Sequence, residues 1–239
     1  MENEYLLVAV VILFSSFTQG FAGFGFQLIA VSILTLLFNP KEVIPICALF
    51  GLVINIYLSI QFRDKISIKE VWPLIIGSAF GIPFGLFFLK SASIGLIKIS
   101  IGIILILYII VSAIKNLSQI NIRNNGAYFF GFFSGVLGGA INTNGPPIII
   151  YLLLKNYHQN VFKATISIFF LFSSLMIVIG HLLSGFTTTT TLRTFLFFLP
   201  IVLVGNYLGI FFYSKLPLKY FNKIIRLLLF AIALKLIFT

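Results

Sequence analysis

The sequence encodes an all-α, polytopic membrane protein of about eight membrane segments, arranged as two repeats within a single transmembrane domain spanning 1–239. That expectation rests on composition, on segment length and on two interruptions. Apolar residues make up 60% and charged residues 9% of the chain, with a mean hydropathy of +1.15. Such a balance belongs to a chain whose solvent is mostly lipid. Eight apolar stretches of helix length succeed one another, and none alternates as a strand would. Two of them, in corresponding places of the two halves, are broken by glycine and proline.

In chain order the first stretch, 5–38, is 34 residues long. It exceeds the roughly 20 residues of one crossing but falls short of two helices and a turn. Its middle reads TQGFAGFGFQ, with Gly20, Gly23 and Gly25, so the helix is expected to break there. Apolar runs follow at about 43–60, 71–89 and 93–114. The fifth stretch, 126–154, contains GFFSGVLGGAINTNGPPIIIY from Gly131 to Tyr151. Proline removes an N–H and drives its predecessor out of the α region, so this helix must break near 142–147. Runs at 161–183, 194–213 and 218–238 complete the chain. The longest polar connections, around 61–70, 115–125 and 184–194, leave no room for a soluble domain.

The halves, about 5–115 and 126–238, can be laid over each other. An offset of 128 places Gly77 on Gly205 and Gly81 on Gly209, while an offset of 115 places Gly20 and Gly23 on Gly135 and Gly138. Charge then bears on orientation. If each broken stretch is a hairpin that enters and leaves on one side, ten Lys and Arg fall on the cytoplasmic side (Arg63, Lys65, Lys69, Lys115, Arg123, Lys155, Lys163, Lys215, Lys219, Lys223) and four outside (Lys41, Lys90, Arg193, Lys235). Single crossings divide them more evenly, so the positive-inside bias favours hairpins. Each half then spans an odd number of times, the halves are inverted, and the two broken tips meet near the midplane.

The net charge of +11 sits in short loops, where it sets orientation and is no footprint of nucleic acid. The lone Cys47 lies in an apolar run and reads as a packing residue. Acidic Glu2 and Glu4 stand where a signal peptide would be basic, so the first segment is expected to be retained. The five acids, Glu2, Glu4, Glu42, Asp64 and Glu70, all lie near termini or loops. A cation path or proton relay usually carries buried acids, whereas an anion path should lack them. His158 and His181 do not form a relay by position, no metal-ligand cluster or cofactor motif is present, and no nucleophile and base can be assembled, so an enzyme is not expected. No GxxxxGK[ST] motif appears either.

The breaks carry the candidate site. The start of a half-helix exposes N–H groups bearing about half a positive charge, and glycine lets an anion approach them. Gly23, Gly25 and Gln27 from the first break, with Asn142, Thr143, Asn144, Gly145, Pro146 and Pro147 from the second, are therefore the expected substrate-binding residues. Pro146 and Pro147 suit the first turn of the following helix. A packing role for Gly20, Gly23 and Gly25 is the competing reading, and packing is preferred for Gly77, Gly81, Gly85, Gly205 and Gly209. Lys98 and Arg226 lie a turn or two inside helices, where they either snorkel to headgroups or attract an anion. Asn55 and Asn206 are expected to bond neighbouring helices.

GFAGFGFQLIAVSIL near the start, GFFSGVLGGAINTNGPPIIIYLLLKN in the centre and the repeated halves together resemble the TauE/SafE family of membrane permeases, often called sulfite exporters. The resemblance covers nearly the whole chain, and GxxSGxxGGAxNTxGPPxxxYL is its specific part. It implies a plasma-membrane permease for small anions, commonly sulfur oxyanions or organosulfonates, with Gly23, Gly25, Gln27 and Asn142 to Pro147 at the translocation site. Phe24 and Phe26 between the glycines depart from the more glycine-rich members. An inside-negative potential drives an anion outward by about 2.3 kcal/mol per charge per 100 mV, so export is the expected direction. A membrane scaffold, in which the breaks serve packing alone, is the alternative from another class.

Overall fold

The computed structural model describes residues 2–61, 68–113, 126–155, 159–213 and 218–238. Among them are ten α-helices and no strand: α1 (Glu2–Ala22), α2 (Phe26–Leu37), α3 (Pro40–Gln61), α4 (Ile68–Ser91), α5 (Ile94–Ala113), α6 (Gly126–Ile141), α7 (Gly145–Leu154), α8 (Gln159–Leu183), α9 (Thr189–Tyr213) and α10 (Leu218–Phe238). Six of the described helices are long and apolar enough to cross a membrane. Each broken stretch supplies a pair, α1 with α2 and α6 with α7, so ten helices make eight segments. Arg63, Lys65, Lys115, Arg123, His158 and Lys215 lie outside the described residues, as do the side chains of Lys69, Lys163, Lys219 and Lys223. Large apolar side chains such as Phe80, Phe87, Phe129, Phe197 and Leu183 point outward. In water such a surface would drive association; against lipid it is the ordinary exterior of an integral membrane protein.

Both broken stretches turn back as hairpins. At the tip of the first, the Phe26 N–H donates to the Gln19 Oε1 at 3.0 Å. At its far end, Glu4, Tyr5 and Val8 of α1 line one cavity with Leu34 and Phe38 around the end of α2. In the second, Ser134 of α6 bonds Asn144 at the tip, and Phe130 lies 5.7 Å from the Tyr151 ring further back. With 12 residues in α2 and 10 in α7, the returning arms are about 18 and 15 Å long, well short of a bilayer core of about 30 Å.

Two tight seams hold the hairpins. The α6 arm packs against α4, and the α1 arm against α9. Gly81 and Gly85 lie so near the α6 backbone that a Cβ would overlap the Phe132 and Val136 carbonyls; Gly205 and Gly209 stand in the same relation to Leu13 and Phe17 of α1. Without a hydrophobic drive between helices in lipid, such backbone proximity and its dispersion contacts are what hold a seam. The Cβ-free positions thus serve packing, and so does Gly20, which abuts the Asn206 backbone.

These contacts correct the register read from the sequence. Gly81 faces Phe132 and Val136 as Gly205 faces Leu13 and Phe17. The matching offsets are therefore 124 between the glycine helices and 119 between the hairpin arms, against 128 and 115 from sequence comparison. The breaks themselves, 23–25 and 142–144, also differ by 119. Each discrepancy is four residues, one helical turn. Glycines recurring every fourth residue still coincide after a one-turn slip, as Gly81 does with Gly205, Gly85 with Gly209 and Gly20 with Gly139, whereas Gly23 then falls on Asn142, the other bend residue.

Candidate functional site

At the first tip Gly23 and Gly25 hold φ of 85° and 115°, a region costly for any residue with a Cβ. They make the turn, and the Gly23 N–H still reaches the Gln19 carbonyl at 2.7 Å. Gln19 then acts in two directions. Its Oε1 caps α2 through Phe26, and its Nε2 donates to Asn55 Oδ1 on α3 at 2.7 Å. The first intrahelical bond of α2 is made by Ile29 to the Gly25 carbonyl at 3.1 Å. Ahead of it, the N–H groups of Gln27 and Leu28 belong to the open first turn, where a helix has donors without intrahelical acceptors. The Gln27 side chain is buried and its Nε2 rests directly over Gly51 of α3, where any Cβ would displace it.

The second tip is built differently. Asn142 takes the turn at φ 53°, a left-handed conformation asparagine tolerates better than most residues. Its backbone N–H is bonded to the Gly138 carbonyl at 2.9 Å, but its buried side-chain Nδ2 has no acceptor among the described residues. Thr143 Oγ1 donates to the Ile141 carbonyl at 3.1 Å. Asn144 Nδ2 donates to Ser173 Oγ on α8 at 2.7 Å, and its carbonyl accepts from Ser134 Oγ at 2.5 Å. Pro146 and Pro147 occupy the first turn of α7. They fit because a first-turn N–H has no intrahelical acceptor to lose, yet they strip that turn of two donors.

The tips meet. Phe24, Gly25, Gln27 and Leu28 of the first, Thr143, Asn144 and Gly145 of the second, and Phe170 of α8 enclose one small pocket of about 10 Å³. That is room for about one water and no more. Five of the nine expected site residues therefore line a common space: Gly25, Gln27, Thr143, Asn144 and Gly145. Gly23 and Asn142 shape the bends beside it, while Pro146 and Pro147 are buried in the turn behind. Lys98 and Arg226 are half-buried on α5 and α10 and do not line the pocket. The lining is neutral throughout. It offers backbone and amide donors to a negative charge without a cation that would hold it fast.

A polar chain that sequence reading largely missed joins the tips through the bundle. Asn55 Nδ2 donates to the Phe170 carbonyl and to Ser174 Oγ, each at 3.3 Å. The path thus runs from Phe26 through Gln19, Asn55 and the adjacent Ser173 and Ser174 to Asn144. Asn55 bonds its neighbours as expected. Gln19, beside Thr18, and the pair Ser173-Ser174 are small clusters of uncharged polar residues inside apolar runs and give no strong local signal; only the pairing of Gln19 with the nearby glycines could have marked it. Asn206, in contrast, has a buried Oδ1 without a partner among the described residues.

The sequence matches the family model described as Sulfite exporter TauE/SafE over residues 8–236, nearly the whole chain. Among curated proteins and solved structures, none matches significantly. Two hairpin tips meeting between long apolar helices, and a family match that runs through both of them, lead to one conclusion: the chain is an integral membrane protein of the TauE/SafE family of transporters.

Proposed function

We propose that this protein is a secondary transporter that moves a small anion, a sulfur oxyanion or organosulfonate, out across the plasma membrane, and that the pocket between the two tips is its translocation site. The meeting of the tips around neutral donors is the observation that carries this reading. Gly25 leaves the open turn of α2 accessible, Gln27 adds its amide, and Thr143 and Asn144 face them from the other hairpin. Asn142, with an unpartnered Nδ2 buried beside the pocket, supplies a further donor when an acceptor arrives. An unsatisfied buried donor costs about 1–3 kcal/mol, and an entering oxyanion relieves it.

Neutral binding suits transport, because a site must release what it takes up. The two repeats, about 5–115 and 126–238, are inverted in this reading, with the first hairpin entering from outside and the second from the cytoplasm. Each tip then guards one side. The pocket of about 10 Å³ is too small for an oxyanion, so the hairpins part to load it. Outward movement follows the membrane potential and needs no ATP.

The test is uptake of radiolabelled sulfite, sulfate, thiosulfate and a small sulfonate into proteoliposomes, with the potential set by potassium and valinomycin. Potential-dependent movement of one of these anions, lowered about 30-fold by Asn144→Ala, is the expected result. No movement of any of them under either polarity would overturn the substrate class.

A further inference from the structure

A second and much larger cavity, about 480 Å³, lies between α1, α2, α3 and α9. It opens at the end of the molecule where α1, α3 and α9 begin and α2 finishes. Glu4, Tyr5, Phe38 and Glu42 are exposed on its rim, and Thr188, Thr190, Thr191 and Thr194 give one wall hydroxyl groups. Its deep end is apolar and tightly packed: Ile12 is 1% exposed, Phe50 0% and Phe198 2%. In the hairpin orientation this mouth faces outside, because α1 starts there and α3 leaves from there.

Phe50 is the residue on which the cavity and the tip pocket converge. On one side it forms part of the cavity floor. On the other, its ring meets Phe26 edge-on at 6.1 Å, and Phe26 stands between Gly25 and Gln27, both of which line the tip pocket. Phe195 of α9 closes against Phe50 at 5.4 Å. The next residue on α3, Gly51, is the one on which Gln27 rests. One turn of α3 thus touches the outer cavity with Phe50 and the pocket's amide with Gly51. The Phe26 and Phe50 rings of α2 and α3 lie between the two hollows with Phe195 of α9 packed against Phe50, and among the described residues no charged or hydrogen-bonded contact pins these rings.

We infer that the 480 Å³ cavity is the outer vestibule of the transport path and that Phe26, Phe50 and Phe195 form its gate, shut in this structure. This inference rests on the transport reading for the identity of what passes. Its geometry is separately testable. Rings packed edge to face, as Phe26 and Phe50 are, or tilted, as Phe50 and Phe195 are, hold a seal by dispersion and shape, and a side chain swing at Phe50 opens it without breaking a hydrogen bond. Gly51, the next residue, carries Gln27, so the gate and the site's amide rest on the same turn of α3.

Cysteine accessibility tests it, since the chain has one cysteine, Cys47, which is buried. In a Cys47→Ala background, Ile46→Cys reports the vestibule and Leu28→Cys the tip pocket, each probed with a membrane-impermeant maleimide added from outside. Ile46→Cys is expected to label readily and Leu28→Cys at least about tenfold more slowly, because a shut gate lowers the reactive population. Adding Phe50→Ala should raise Leu28→Cys labelling by about tenfold and leave Ile46→Cys unchanged. Phe50→Leu, which preserves more of the packing, should fall between and stands in if the alanine variant does not purify as a monodisperse protein. An unreactive Ile46→Cys, or Leu28→Cys labelling indifferent to both Phe50 variants, would overturn the gate. Anion flux measured on the same Cys47→Ala protein separates the two ideas: flux without the labelling pattern sinks the gate alone, whereas the labelling pattern without flux upholds the gate and sinks the substrate.

Discussion

The two hairpin tips reach one pocket with opposite chemistry. The first, Gly23 to Gly25, has no polar side chain in its bend and presents backbone: two glycines at positive φ and an open first turn on α2. The second, Asn142 to Asn144, is all polar side chain, followed by prolines that delete backbone donors. A tip that loses N–H groups to proline must recover donors from amides and hydroxyls, and a tip that keeps them can place phenylalanines beside the glycines. The same fold solution is therefore reached by two residue sets, and similarity between the halves shows in packing more than in sequence. Substitutions that harm one kind of donor and spare the other are the means of testing this division.

Asn144→Ala should have the largest effect. It removes the bond to Ser173 and severs the polar chain between the tips at its end. Losing a buried amide of this kind costs about 2 kcal/mol, a fall of about 30-fold in anion flux. A flux within about twofold of wild type would show that the second tip does not act through its side chains. Next comes Gly25→Ala, which tests the backbone tip. A Cβ there is forced into φ 115° and meets Thr18 Cγ2 at 3.0 Å. Strain of about 1–3 kcal/mol should tilt the start of α2 and lower flux by about tenfold. An unchanged flux would mean that the open turn of α2 is not presented to the anion.

Gly51→Ala sharpens the comparison at the one polar side chain that the first tip contributes. Its Cβ would occupy the place of Gln27 Nε2, so the amide must leave the pocket wall. Loss of one neutral hydrogen bond predicts about a fivefold rise in KM, with kcat little changed. Because Gly51 acts through Gln27, Gly51→Ala combined with Gln27→Ala should be no worse than Gln27→Ala alone. Additive effects would instead assign Gly51 to helix packing.

Much of this is legible in the sequence. Eight apolar runs became eight segments because segment length in lipid is set by bilayer thickness, and the breaks fell where glycine and proline forbid a continuous helix. Asn142 to Asn144 stand out as polar residues in an apolar surround. Two things were not readable. The register between halves slipped by one turn because Gly-x-x-x-Gly repeats coincide with themselves every four residues. Gln19, Ser173 and Phe50 could not be singled out because each looks like an ordinary residue of a membrane helix. Their importance comes from what lies across from them, 36 residues away for Gln19 and Asn55 and 29 for Asn144 and Ser173. Local pattern carries information about breaks and lengths, whereas partners come only from the fold.

Pro147→Ala should have the smallest effect and bears most directly on the contrast between tips. The substitution gives α7 a backbone N–H that the native tip lacks. If the second tip relies on Asn142, Thr143 and Asn144, an added donor behind them changes flux by less than about twofold, with a stability loss of about 0.5–1 kcal/mol from the looser unfolded chain. If the prolines were there to keep donors away from the anion, the new N–H would tighten binding, lowering KM and, through slower release, kcat as well. Measuring both constants separates these outcomes. A matched fall in KM and kcat would show that the second tip is tuned by the donors it omits, which the first tip, with its turn left open by glycine, cannot be.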